Sequence, residues 1–197
     1  MVLSLFLYSC SNYGYRTISD DSKLEINNPY IFEYGFEKAL YKTNISIYNN
    51  QLTGLTLIKK TEYSYRVVSM SELGLKYFDI EFPIDLKKDP MVHYIMEPLN
   101  KKLLVNMFIK DFSLIFYPPS IDQDKLKIAD HENLTIIKLG KLVYYVLSSG
   151  QVIDIKKSRW LASDKSMISI NGFTGNQTDS LVVDHGKIMY EFIEIVK

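Results

Sequence analysis

One thiol and three imidazoles carry most of the reactive chemistry that this 197-residue chain offers. Cys10 is the only cysteine, so no disulfide can form within the chain. Its use is then that of a lone thiol, the side chain best suited to attack a transferable group once it ionises. His93, His131 and His185 lie far apart in sequence, and no His, Cys, Asp and Glu spacing matches a metal site. The stretches "ADHE" at 129–132 and "DHG" at 184–186 set carboxylates beside imidazoles, but Asp and Gly at such places are also what tight turns require. The chain has neither a Gly-x-Ser-x-Gly nucleophile elbow nor a glycine-rich phosphate loop. The residues therefore predict no enzyme, no metal and no cofactor.

Cys10 ends a short greasy run, "VLSLFLYSC", and a polar stretch, "SNYGYR", follows it. The run has the character of the apolar core of a secretory signal. Its end is similar to a bacterial lipobox, with Leu7 three places before the cysteine and the small Ser9 directly before it. Tyr8 is bulkier than the position favours, and no Lys or Arg precedes the run. On this reading residues 1–9 are the remnant of a signal peptide, and the Cys10 thiol takes a diacylglyceryl group. Several acyl chains, at about 0.8 kcal/mol per buried CH₂, then hold the protein on a membrane. The other reading is a buried N-terminal strand with an inert cysteine.

The bulk composition fits a single folded unit. Apolar residues make up 47% and charged residues 23%, the balance of a globular domain with its own core. The 23 Lys and Arg cancel the 23 Asp and Glu, so no overall basic field exists to bind nucleic acid. Lys59-Lys60, Lys101-Lys102 and Lys156-Lys157-Ser158-Arg159 are small basic clusters, read as solvated ends or as contacts for phosphate headgroups. No apolar run approaches the roughly 20 residues that span a bilayer as a helix.

The elements that must position these residues follow from periodicity. Residues 10–36 are polar and turn-rich and read as a lipidated N-terminus, tether and entry segment. From about residue 37 alternation takes over. Tyr41, Thr43, Ile45 and Ile47 share one face, a hairpin turn at "NN" follows, and Phe78, Ile80 and Phe82 share a face further on. Asp89-Pro90 reads as a helix start, Pro98 as a break, and Asn100 as the cap of a second helix, so helices are expected at about 89–116. Leu103, Leu104, Met107, Phe108 and Phe112 form the apolar stripe of that second helix. Short β-rich segments return after "YPPS", with "TGNQTDS" as a loop and Asp184 to Lys187 as a turn before the last strand. Strands, then helices, then strands predict an α+β fold around one antiparallel sheet of at least eight strands.

The segments "LYSCSN", "RVVSMSELGLKYFDIEF", "PLNKKLLVNMFIKDFSLIF" and "LVVDHGKIMYEFIEI" together resemble the LolA/LolB type of lipoprotein carrier, and outer-membrane lipoproteins of Bacteroidota in particular. The resemblance implies a strongly curved half-barrel over residues 37–197, with helices covering its concave face. It implies an envelope protein, lipid-anchored and facing the periplasm, that binds a lipid or the acyl part of a lipoprotein without catalysis. Ile45, Ile47, Phe78, Ile80, Leu104, Met107, Phe108 and Phe112 are the candidates for lining an apolar cavity. The same aromatic wealth, 15 Tyr and 10 Phe, could instead fill a solid core. The protein would then be an accessory lipoprotein with a protein-binding face and an envelope protein as its partner.

Overall fold

The computed structural model describes residues 16–17, 29–117, 127–131, 134–157, 165–174 and 177–195. Cys10, the segment 1–9 and most of the tether lie outside the described residues. The first half holds β1 (Arg16–Thr17), β2 (Lys38–Ile47), β3 (Asn50–Lys60), β4 (Ser64–Met70), β5 (Lys76–Pro83) and β6 (Met91–Ile95). A 3₁₀ turn (Glu97–Leu99) and one α-helix, α1 (Lys102–Phe116), follow. The second half holds β7 (Lys127–His131), β8 (Leu134–Leu139), β9 (Leu142–Leu147), β10 (Val152–Lys157), β11 (Lys165–Thr174), β12 (Gln177–Asp184) and β13 (Ile188–Glu194).

All these strands belong to one sheet, in the order β1-β7-β8-β9-β10-β11-β12-β13-β2-β3-β4-β5-β6, and every neighbouring pair is antiparallel. The sheet is thus two meanders joined where the last strand meets β2, with Tyr190 opposite Ile45 and Phe192 opposite Thr43. It does not close, since β6 and β1 are its two edges. It is nonetheless strongly curved. β9 and β4 stand seven places apart, which would separate them by roughly 34 Å in a flat sheet. Tyr144 of β9 and Tyr65 of β4 line one cavity of about 600 Å³, so the sheet must curl to bring them together.

The expected alternation of burial holds along β2, while in β5 Tyr77 and Asp79 of the other face are buried as well. Tyr41, Thr43, Ile45 and Ile47 are all buried, and so are Phe78, Ile80 and Phe82. Cross-strand rows such as Ile155–Ile168–Val183–Tyr190–Ile45 line the concave face. Three buried hydroxyls also lie there and satisfy one another in a ladder, Thr43 Oγ1 to Thr56 Oγ1 at 2.8 Å and Thr56 Oγ1 to Ser69 Oγ at 2.9 Å. Gly54 has no side chain for a steric reason: a Cβ would stand 2.0 Å from the Met70 carbonyl oxygen.

The middle of the chain differs from expectation. Asp89-Pro90 starts no helix, and Met91–Ile95 instead forms the edge strand β6, with Val92 opposite Ile80 and Tyr94 opposite Asp79. Its alternation is hidden because Met91, Val92, His93 and Tyr94 are all exposed, as an edge strand permits. Only α1 is an α-helix among the described residues, so helices do not fill 89–116. Leu103 is exposed, and the buried face runs through Leu104, Phe108, Asp111, Phe112, Ile115 and Phe116. Ala129 to His131 belong to β7 rather than a turn, and "TGNQTDS" supplies the end of β11 and the start of β12. The turn at Asp184 to Lys187 is present, with Asp184 Oδ1 accepting from the Gly186 amide.

On the other face of β4 and β5, Asp79 is buried and takes a fork from Arg66, Nε at 2.8 Å and Nη2 at 3.0 Å, plus Lys76 Nζ at 3.0 Å. Burial alone would raise this carboxyl, but the hydrogen bonds and charges of Arg66 and Lys76 outweigh it and hold the group below its usual range. Glu81 is held low chiefly by the hydrogen bond with His93, at 2.7 Å.

Candidate functional site: an apolar cavity under an N-terminal strap

α1 crosses the concave face and packs aromatic rings against it. Phe108 lies 5.0 Å from Phe78 and 5.2 Å from Tyr190, centroid to centroid. Phe112 lies 5.8 Å from Phe82 and 5.9 Å from Phe192. The concave face beneath the middle of the helix is therefore filled. Ile45, Ile47, Phe78, Ile80, Leu104, Phe108 and Phe112 are buried in this packed core, and the half-buried Met107 packs against it. None of these candidates lines the cavity of about 600 Å³ noted above. Interlocking rings from α1, β5 and β13 leave no room there.

The cavity sits at the far end of the helix instead. Its floor is the last turn of α1, Leu114 to Phe116. One wall is Tyr144, Val152 and Ile155 of β9 and β10, and the facing wall is Lys60 and Tyr65 of β3 and β4. The remaining side is a strap, Pro29 to Tyr34, that arrives before β2. The strap is fixed at both ends by its backbone. The Tyr30 amide donates to the Gly150 carbonyl at 3.0 Å, and Val152 donates back to the Tyr30 carbonyl at 2.8 Å. At the other end the Lys60 amide donates to the Glu37 carbonyl at 2.7 Å. Ile31, Phe32 and Phe36 bury their side chains, with Phe32 and Phe36 rings 4.3 Å apart. Tyr65 stacks on Phe116 at 4.6 Å with an interplanar angle of 3°.

The lining combines aliphatic and aromatic side chains with the hydroxyls of Tyr30, Tyr34, Tyr65 and Tyr144 and the charged groups of Glu33 and Lys60. Burial pushes the Tyr144 phenol up to about 12, so it stays neutral. Tyr30 is raised as well, by burial and then by Glu33, and its hydroxyl donates to the Ser149 carbonyl at 3.3 Å. Glu33 accepts from Gln151 Nε2 at 2.9 Å, which ties it to the β10 side. Lys60 Nζ stands 5.9 Å from the Tyr34 ring and 5.7 Å from the Tyr65 ring, on the β3 side. The sequence reading missed this site because the strap has no period. Its available signal was the aromatic run "PYIFEYGF", too apolar for a simple tether.

A second polar group lies deeper in the fold. Asp111 is 1% exposed and sits on the buried face of α1. Its Oδ2 accepts from His185 Nε2 at 2.8 Å and from the Tyr190 hydroxyl. Burial, and then the neighbouring Asp111 carboxylate, keep the Tyr190 phenol protonated well above its ordinary range. An Asp–His pair is the orienting half of an acid–base relay, and a nucleophile on the other ring nitrogen would complete it. No hydroxyl or thiol of the described residues hydrogen-bonds the His185 ring, and the pair bridges α1 and the turn between β12 and β13. His93 pairs with Glu81 on the surface, and His131 lies in β7. Among the described residues no three His, Cys, Asp or Glu side chains are placed to hold a metal, and no helix is long and apolar enough to cross a membrane.

No protein family matches this sequence, and comparison with characterised proteins finds no match.

Proposed function

We propose that this protein is a lipid-anchored envelope lipoprotein whose curved sheet, of the LolB-like kind, binds a lipid or the acyl chain of a lipoprotein without catalysis. The observation that carries the reading is the cavity of about 600 Å³, lined largely by aliphatic and aromatic side chains and floored by the end of α1. Binding there rests on burying apolar surface, worth about 25 cal/mol per Å² before the costs of ordering. Tyr34 and Tyr63 are exposed at the same end of the sheet, where aromatic rings suit a membrane–water boundary.

Titration with a fluorescent long-chain fatty acid tests the reading. Saturable binding at one site is expected, and Leu114→Trp, which fills the floor from a half-buried position, should abolish it without lowering the melting temperature. Absence of saturable binding by the unaltered protein would refute the carrier reading. Anchoring has its own test. Cys10→Ser, expressed with its native upstream sequence, should move the protein from the membrane fraction to the soluble one, and an unchanged distribution would remove the lipid anchor from the proposal.

The accessory reading has one observation in its favour. β6 is an unpaired edge whose Met91, Val92 and Tyr94 are exposed, so an envelope protein could add a strand to it. Failure of the fatty-acid titration would favour that reading.

A further inference from the structure

We infer that the cavity selects amphiphiles with an anionic head, and that Lys60 is the residue that recognises the head. The inference rests on the carrier reading above and narrows it to a chemical class: a long apolar chain ending in a carboxylate or a phosphate. Lys60 is the last residue of β3, half-buried, and it is a lining residue of the cavity. Its stem therefore lies along apolar surface while its ammonium faces the rim. The ammonium rests against the Tyr34 and Tyr65 rings, at 5.9 and 5.7 Å from their centroids. Ring faces attract a cation but carry no net charge, so they leave the ammonium's charge unneutralised. No carboxylate of the described residues forms an ion pair with Lys60. Glu33, the acidic group among the lining residues, forms no ion pair with Lys60 and accepts from Gln151 Nε2 at the start of β10, at 2.9 Å.

The two halves of the site fit two halves of one ligand. The apolar walls take a hydrocarbon chain, and the cation at the rim supplies a charge-assisted contact to an anionic head. A neutral acyl glyceride or alcohol would fill the cavity equally well and gain nothing from Lys60.

The test is calorimetric titration of the full chain with three probes of matched chain length: a saturated fatty acid, the corresponding fatty alcohol and a lysophosphatidate, at a pH well above the carboxylate range. The fatty acid or the lysophosphatidate should bind about tenfold more tightly than the alcohol, the worth of one charge-assisted contact. The tighter of the two anions identifies the source of the head as free fatty acid or phospholipid. Lys60→Met should remove the advantage and leave alcohol binding unchanged, while Lys60→Arg should retain it. Equal binding of acid and alcohol, unmoved by Lys60→Met, would overturn the inference and leave the acyl-chain reading standing. Binding of none of the three would overturn both.

Discussion

Phe108→Ala is expected to lower the free energy of unfolding by about 3–5 kcal/mol, the range for an aromatic ring removed from a close-packed core. Phe108 is 0% exposed, and its ring meets Phe78 on one side and Tyr190 on the other. Neither neighbour is free to collapse into the space. Phe78 also contacts Phe112, and Tyr190 is held by Asp111. The cavity term is therefore retained in full beside the transfer term. A movable lid with loose packing would lose little from the same change. Urea unfolding of the variant decides the matter, and a loss under about 1 kcal/mol would show that α1 is not a fixed part of the core. Because the cavity lies at the other end of the helix, a filled middle and a ligand site are compatible in this fold.

The second large effect concerns Asp111. His185→Ala combined with Tyr190→Phe should destabilise the protein by about 3–5 kcal/mol, because both donors to a buried carboxylate are removed together. Asp111 Oδ1 has no hydrogen-bond partner among the described residues, so Oδ2 carries all the compensation this carboxylate receives from them. Adding Asp111→Leu to the double variant should recover stability, since an apolar side chain at a 1% exposed position carries no charge to strand. Thermal unfolding of the double and triple variants gives the comparison. A triple variant less stable than the double would show that Asp111 has another source of stabilisation.

The strands were legible because period-two alternation survives wherever one face is buried. Tyr41 to Ile47 and Phe78 to Phe82 are such runs, and both lie where they were expected. β6 was not legible, since an exposed edge strand carries no alternation, and Asp89-Pro90 imitates a helix start. The helix was legible as a stripe but rotated slightly, because Asp111 was not counted on its buried face. That carboxylate, between Phe108 and Phe112, was the sign of a buried polar contact. Its partners, His185 and Tyr190, are some 75 positions away, beyond any local pattern. The cavity was hidden for the same reason. Its strap joins Tyr30 to Gly150 and Glu37 to Lys60, and only the folded sheet brings those positions together.

The pairing of β13 with β2 also governs when the protein can fold. Ile45 meets Tyr190 across roughly 145 positions of sequence, and nothing earlier in the chain supplies that neighbour. During synthesis, the first meander waits with β2 exposed as an unsatisfied edge until β13 emerges. An open edge of this kind is a template for pairing with another chain. Loss of β13 would therefore remove more than one strand's contacts: it would leave two half-sheets, each offering an edge to whatever chain is nearest.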